Sequence, residues 1–121
     1  MTDLQITKTL ATEVMGWKLT TSPIDDEFWA DAEGKFVAWR VSWDPTQNLT
    51  HAWQLVDKVG EKKITTRLTK RAIDGRCLAS FKTDIKLTAR TLEIWGEGET
   101  PQEAICNSAM KLIERGYLTN R

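Results

Sequence analysis

The sequence predicts an α+β fold in which an antiparallel three-stranded meander packs with two long helices. Apolar residues recur at helical spacing in the middle of the chain and again at its end, which predicts two helices that each bury one face. Three extended runs separated by short turns lie between them, and short turns favour antiparallel pairing. An N-terminal helix and a small hairpin complete the prediction. With 121 residues and no linker or low-complexity stretch, residues 1–121 are expected to form a single domain.

The N-terminal helix is predicted over residues 3–15. Thr2 and Gln5 have the spacing of a capping box, in which each side chain bonds the main-chain N–H of the other residue. Gly16 is expected to end the helix. Residues 18–34 are polar and acidic, and a small hairpin is predicted between extended pieces at 27–30 and 35–41, joined by a turn.

The second helix is predicted to end at Gly60 and to begin at one of two caps. Asp44, which precedes Pro45, is one candidate cap, and Asn48 is the other. The apolar stripe of this helix comprises Leu49, Ala52, Trp53, Val56 and Val59. Trp53 is therefore predicted to be a core residue, and this helix is expected to lie beside the last one.

The three strands of the meander are predicted at residues 64–70, 76–82 and 88–95, and the last helix at 100–115. Alternation places Cys77, Ala79 and Phe81 on one face of the middle strand. Thr100 and Glu103 form a second capping box at the start of the last helix. The apolar stripe of that helix comprises Ile105, Cys106, Ala109, Met110, Leu112 and Ile113. The core face of the meander is expected to meet both long helices.

Four local strings of residues, taken in order, carry a resemblance to a known family. They are Val14-Met15-Gly16-Trp17-Lys18; Trp29-x-Asp31-Ala32-x-Gly34-x-Phe36; Pro45-Thr46 with Ala52-Trp53-x-x-Val56-x-Lys58; and Ala104-Ile105-Cys106-x-x-Ala109-x-Lys111. The set resembles the phage ABA sandwich domain family, small proteins of bacteriophages and prophages. The resemblance implies an α/β/α-type sandwich, in which the N-terminal helix could cover the second face of the sheet. It brings no catalytic residues.

Composition limits the classes of partner and the compartment. The net charge is zero, but residues 1–57 carry −5, residues 58–90 carry +7 and residues 91–121 carry −2. That asymmetry hints at an acidic partner. No run of 18 apolar residues and no signal peptide are visible, so no membrane association is expected. Two widely separated cysteines favour reduced thiols, and the host cytoplasm is the predicted location.

Residues that could carry catalysis or bind a metal are few. His51 is the only histidine, and no close pair of ligands accompanies it, which favours a structural histidine over a zinc ligand. Cys77 and Cys106 fall on predicted core faces, and a Cys106–His51 dyad would still need an orienting group. The acidic stretch at 25–33 lacks the spacing of a calcium loop. We therefore expect no catalytic residue, no metal and no cofactor.

The stretch at 96–100, Gly-Glu-Gly-Glu-Thr, leads into the last helix, where phosphates often bind. It lacks the lysine of a phosphate-binding loop, and its two glutamates would repel an anion. We interpret it as a strand-to-helix turn that requires glycine geometry.

A basic set of side chains on the meander raises a nucleic-acid hypothesis. Its members are Arg67, Lys70, Arg71, Arg76, Lys82 and Arg90. The order of elements over residues 48–115 also resembles the double-stranded RNA-binding domain. That family has a lysine-rich motif at the start of its last helix, where this chain has Thr-Pro-Gln-Glu. A solvated sheet face that balances the acidic segments is the competing interpretation.

Three of the six tryptophans, Trp29, Trp39 and Trp43, lie in or near irregular segments. They either pack in the core or form a partner-binding surface, since aromatic residues dominate interface hot spots. The leading hypothesis is a non-enzymatic phage or prophage accessory protein that binds an unknown host or phage protein. Nucleic-acid binding by the basic strands is the alternative, and an enzyme of unknown type is third.

Overall fold

A computed structural model describes residues 2–85 and 90–116, which contain three helices and two three-stranded antiparallel sheets. The helices are α1 (Asp3–Glu13), α2 (Leu49–Gly60) and α3 (Pro101–Glu114). The first sheet contains β1 (Lys18–Thr21), β2 (Glu27–Ala30) and β3 (Phe36–Trp39). The second contains β4 (Thr65–Lys70), β5 (Cys77–Ile85) and β6 (Arg90–Gly98).

The second sheet is the predicted meander, with strand order β4-β5-β6. Helix α3 packs over β5 and β6, while α2 lies beside α3 and reaches β4. Alternation puts Cys77, Ala79 and Phe81 of β5 and Ile94 of β6 on the face that meets the helices, where all four are buried. The predicted α+β class, with a meander and two long helices, is confirmed. Residues 86–89, where the third strand was predicted to begin, lie outside the described residues.

Helix α1 packs against α3. Its Leu10 and Ala11 are fully buried in the same core cluster as the long helices. The opposite face of the meander presents exposed side chains at Arg67, Lys82 and Glu93. Helix α1 therefore does not cover this second face as the family resemblance allowed. Of the helices in the described ranges, none combines the length and apolar character needed to cross a membrane.

The first sheet extends the predicted hairpin by one strand. Strands β2 and β3 form that hairpin, and β1 pairs antiparallel with β2 on its other side. The sequence did not predict β1, because residues 18–21 contain only one apolar side chain and lie in a polar segment. The turn between β2 and β3 is closed by Asp31, whose Oδ1 accepts from the main-chain N–H groups of Glu33 at 3.0 Å and Lys35 at 2.9 Å.

The helix starts follow the predicted caps. The Thr2–Gln5 capping box is present at α1, and the Thr100 hydroxyl accepts from the Glu103 N–H at 3.2 Å. Of the two candidate caps of α2, Asn48 fills the role by accepting from the His51 N–H. At the other end of α2, the predicted end at Gly60 is confirmed. This glycine is the last helical residue, and the left-handed residue that follows the helix is Lys63, at φ 62°.

The interpretation of Gly96 and Gly98 as turn residues is wrong. Both lie inside β6, and neither has a positive φ. A side chain at Gly98 would collide with α3, since a Cβ built there would lie 2.7 Å from the Ala104 nitrogen. These glycines are needed because the helix approaches the strand closely, not because the chain turns.

The prediction that Trp53 is a core residue is also wrong. Trp53 is 41% exposed, whereas Ala52 and Leu55 of the same helix are fully buried. The apolar stripe of α2 is wider than the surface beneath it, because β4 is the last strand of the sheet on that side. The far flank of the stripe therefore extends past the edge of the described sheet.

Candidate protein-binding surface

Three aromatic side chains form one cluster on the outer face of the first sheet. The rings of Phe28, Phe36 and Trp39 lie 5.1–6.1 Å apart between centroids, in tilted and edge-to-face arrangements. Phe36 is 53% exposed and Trp39 is 39% exposed. We call these three residues the aromatic cluster. Exposed aromatic rings in mutual contact make this cluster a candidate binding surface.

Strand alternation explains why the aromatic cluster is exposed while the adjacent Trp29 is buried. Phe28 pairs with Trp39 across the sheet, whereas Trp29 pairs with Ala38 on the opposite face. Trp29 is only 1% exposed and belongs to the main core cluster. A bulge between Trp29 and Ala30 shifts the register and places Phe36 beside the other two rings. Trp29 thus anchors the sheet that presents the cluster.

Trp43 is enclosed as well. Its ring contacts Trp17 edge-on at 4.9 Å and stacks on His51 at 6.1 Å, while its Nε1–H donates to Gln54 Oε1 at 2.7 Å. Of the three tryptophans proposed from the sequence as a partner surface, only Trp39 is exposed. Phe28 and Phe36 were not proposed, although the alternation at 27–30 could have indicated that Phe28 faces away from Trp29.

The segment around Asp44 fixes the loop that leads into α2. Asp44 Oδ1 accepts from the Thr46 hydroxyl at 2.6 Å and from the Thr7 hydroxyl at 3.3 Å, which ties α1 to the loop. The Asp44 main-chain N–H donates to His51 Nδ1 at 3.0 Å. His51 therefore has one ring nitrogen engaged in holding the loop, in keeping with a structural histidine.

A shallow depression of about 280 Å³ adjoins the aromatic cluster. It is lined by Asp25, Asp26, Glu27, Trp39, Arg40 and Val41. Arg40 Nε lies 3.3 Å from a carboxylate oxygen of Glu27, so one of the three carboxylates has a basic partner there. Asp25 and Asp26 leave an acidic rim beside an exposed indole. That combination suits a basic group flanked by apolar ones.

The basic residues of the meander do not form one continuous patch. Arg71 and Arg76 both pair with Glu97, and Arg71 also binds Asp74. The hydrogen bond from Arg71 and then that from the Arg76 N–H lower the pKa of Asp74 from 3.8 to about 2. Arg67, Lys70 and Lys82 are exposed, and no ion pair within the described chain involves them. The Arg90 side chain lies outside the described residues.

Sequence comparison matches the phage ABA sandwich domain over residues 8–110. The chain belongs to that family. No match was found among curated proteins or among solved structures. The matched segment of this phage ABA sandwich domain contains both sheets and the whole aromatic cluster.

The two thiols of this phage domain are free and buried. Burial, followed by the nearby carboxylates of Asp44, Asp3 and Glu103, raises the pKa of Cys106 to about 12. The thiol is therefore neutral at pH 7, which is the wrong state for a nucleophile. Across residues 2–85 and 90–116, no three His, Cys, Asp or Glu side chains are grouped to hold a metal ion.

Proposed function

We propose that this phage domain is a non-enzymatic accessory protein that binds a protein partner through the aromatic cluster. The observation that carries the proposal is the exposure of Phe36 and Trp39 in mutual ring contact, at 53% and 39%. Apolar surface removed from water contributes about 25 cal/mol per Å². A partner that covers these rings would gain this free energy of burial. The sheet that carries the rings is anchored to the core by the buried Trp29.

The acidic rim supports a partner with a particular chemistry. Asp25, Asp26 and Glu27 line the depression next to Trp39, with Arg40 as the one basic residue. A partner surface that presents a lysine or arginine beside apolar side chains would complement this arrangement. Its cation would lie near both the carboxylates and the indole face.

The non-enzymatic part of the proposal is supported by the state of the candidate groups. The Cys106 thiol is buried with a raised pKa, and His51 Nδ1 accepts a main-chain hydrogen bond. We further propose that the protein acts in the host cytoplasm. Two free, buried cysteines support that location, because thiols persist in reducing compartments.

Affinity capture from a lysate of phage-infected host cells tests the proposal. The immobilised wild type is compared with a Phe36→Ser/Trp39→Ser double variant. A matched control carries Ile73→Ser/Trp95→Ser, which removes an exposed aliphatic side chain from the β4–β5 turn and an exposed aromatic side chain from β6. We expect a protein retained by the wild type and the control to be lost from the Phe36/Trp39 variant.

Two results would contradict the proposal. Capture of the same proteins by all three versions would show that the aromatic cluster is not the binding surface. Retention of the wild type on a DNA resin that falls steeply with salt, without any protein lost from the Phe36/Trp39 variant, would favour the nucleic-acid alternative.

A further inference from the structure

The two edge strands of the meander differ in whether side chains of the protein already bond their outward main-chain groups. On β6, the side chains of Asn107 and Lys111, one turn apart on α3, donate to the main-chain carbonyls of Glu97 and Trp95, each at 2.7 Å. These two carbonyls are two residues apart, so they point to the same side of the strand. Helix α3 thus occupies acceptors that a further strand would need.

Hydrogen-bond alternation identifies the free side of each strand. The Arg71 N–H donates to the Arg76 carbonyl at 2.7 Å next to the β4–β5 turn, and bonded pairs then recur at every second residue. Thr65, Arg67 and Thr69 therefore bond to β5. The main-chain groups of Thr66 and Leu68 point away from the sheet. The same alternation, carried through β5, directs the carbonyls of Trp95 and Glu97 to the outer edge of β6.

The β4 edge is open and has an apolar flank. Leu68 is 37% exposed, although its partner across the sheet, Ala79, is fully buried beneath the helices. On α2, Leu49 and Trp53 are one turn apart and are 39% and 41% exposed. They lie on the flank of α2 opposite His51, whose ring stacks on Trp43, and α2 itself contacts β4. A strand added beside β4 would cover this apolar flank.

The positive charge near β4 favours an acidic segment of another protein over a second copy of this chain as the strand that pairs there. Lys62, Lys63, Arg67 and Lys70 are exposed here, and no ion pair within the described ranges involves them. Pairing of two copies through β4 would bring these cations together, which disfavours a symmetric dimer. A strand that alternates apolar and acidic residues would place its carboxylates among them.

We infer that the β4 edge accepts an extended segment of another protein, in which acidic and apolar residues alternate. The segment pairs antiparallel or parallel with β4, bonds the main-chain groups of Thr66 and Leu68, and packs its apolar side chains on Leu68 and Trp53. This mode is β-strand addition, in which the main chain gives affinity and alternate side chains give specificity. It is independent of the aromatic cluster.

Hydrogen exchange measured residue by residue tests the inference. The probe is an eight-residue acetylated peptide of alternating valine and glutamate, added in excess to the full chain. We expect the amides of Thr66 and Leu68 to exchange at least tenfold more slowly, while those of Arg67 and Thr69, already bonded to β5, change little. A peptide with lysine for glutamate, and one N-methylated at alternate residues, should give no protection.

A pair of matched variants localises the effect. Trp53→Ser should weaken peptide binding by roughly tenfold, about 1.4 kcal/mol, while Trp95→Ser on β6, where the indole is similarly exposed, should leave it unchanged. The inference is overturned if the glutamate peptide leaves the Thr66 and Leu68 amides unprotected, or if the lysine peptide protects them equally. Binding of single-stranded DNA through Arg67 and Lys70, with no response to the peptide, would also overturn it.

Discussion

The main chains of Gly96 in β6 and Ser108 in α3 are in direct contact. A Cβ built on Gly96 would lie 2.2 Å from the Ser108 nitrogen and 2.6 Å from its Cα, so no side chain fits between strand and helix. The Ser108 hydroxyl, fully buried, donates to the Ile94 carbonyl at 3.2 Å. Two small residues thus set the distance at which α3 packs on the sheet, and Ile105 and Leu112 are buried as a result.

Gly96→Ala should be strongly destabilising, because the added methyl group meets backbone rather than a movable side chain. Overpacking of a tight core costs about 1–3 kcal/mol, and we expect the upper end of that range. Chemical denaturation with the midpoint and slope fitted separately measures the change. Gly60→Ala is the control, since nothing lies within 4 Å of its Cβ position and its φ is not positive. Equal stability of the two variants would contradict the close contact.

Trp43, which packs on His51 of α2, and Trp53, which is part of α2, should differ in their contribution to stability. Trp43 is 2% exposed and hydrogen-bonded to Gln54, so Trp43→Ala should cost about 3–5 kcal/mol. Trp53 is 41% exposed, and Trp53→Ala should cost less than about 2 kcal/mol. Urea unfolding followed by circular dichroism gives both values. A cost for Trp53→Ala that matches the cost for Trp43→Ala would restore the original core assignment of Trp53.

The Asp74 carboxyl group should titrate abnormally. Its pKa of about 2 lies below the ordinary 3.8, chiefly because the Arg71 side chain donates to it. Since the folded state prefers the carboxylate, this stabilisation is present above about pH 4 and is lost as the pH falls toward 2. Carboxyl-detected NMR titration measures the midpoint. Arg71→Gln should raise it toward the ordinary value, whereas Arg67→Gln, outside this ion-pair group, should leave it in place.

The Cys106 thiol should resist alkylation in the native protein. Burial raises its pKa to about 12, so almost no thiolate is present at pH 8 and the sulfur is shielded from solvent. In a Cys77→Ser background, iodoacetamide at pH 8 should leave Cys106 unmodified, and the same reagent in urea should modify it fully. Mass spectrometry of the intact chain distinguishes the two outcomes. Rapid modification without urea would reopen the case for a reactive cysteine.

Local rules predicted the helices well because their signals lie within a few residues of each boundary. Thr2, Asn48 and Thr100 each place a side-chain acceptor at the first turn, and Gly16 and Gly116 adopt the left-handed conformation that follows α1 and α3. The meander followed from alternation and short turns. These features depend on neighbouring residues, which the sequence displays directly.

Features that depend on distant residues were not predictable in the same way. The stripe of α2 shows which side of the helix is apolar, but only the width of the sheet decides that Trp53 is uncovered. Strand β1 forms because β2 offers it a partner, since its own four residues carry little strand signal. The aromatic cluster arises from the pairing of β2 with β3 and from the bulge in β2. Nothing in the sequence next to Phe36 therefore identifies it as part of an exposed cluster.

The blocked edge of β6 has a consequence for stoichiometry. A sheet with two open edges can be extended at both ends and, in principle, without limit. Here Asn107 and Lys111 occupy the Glu97 and Trp95 carbonyls on one side, so the proposed strand addition would use the β4 side of the meander. Under the proposed strand addition, the meander of each molecule would therefore pair directly with one guest strand, which favours a one-to-one complex.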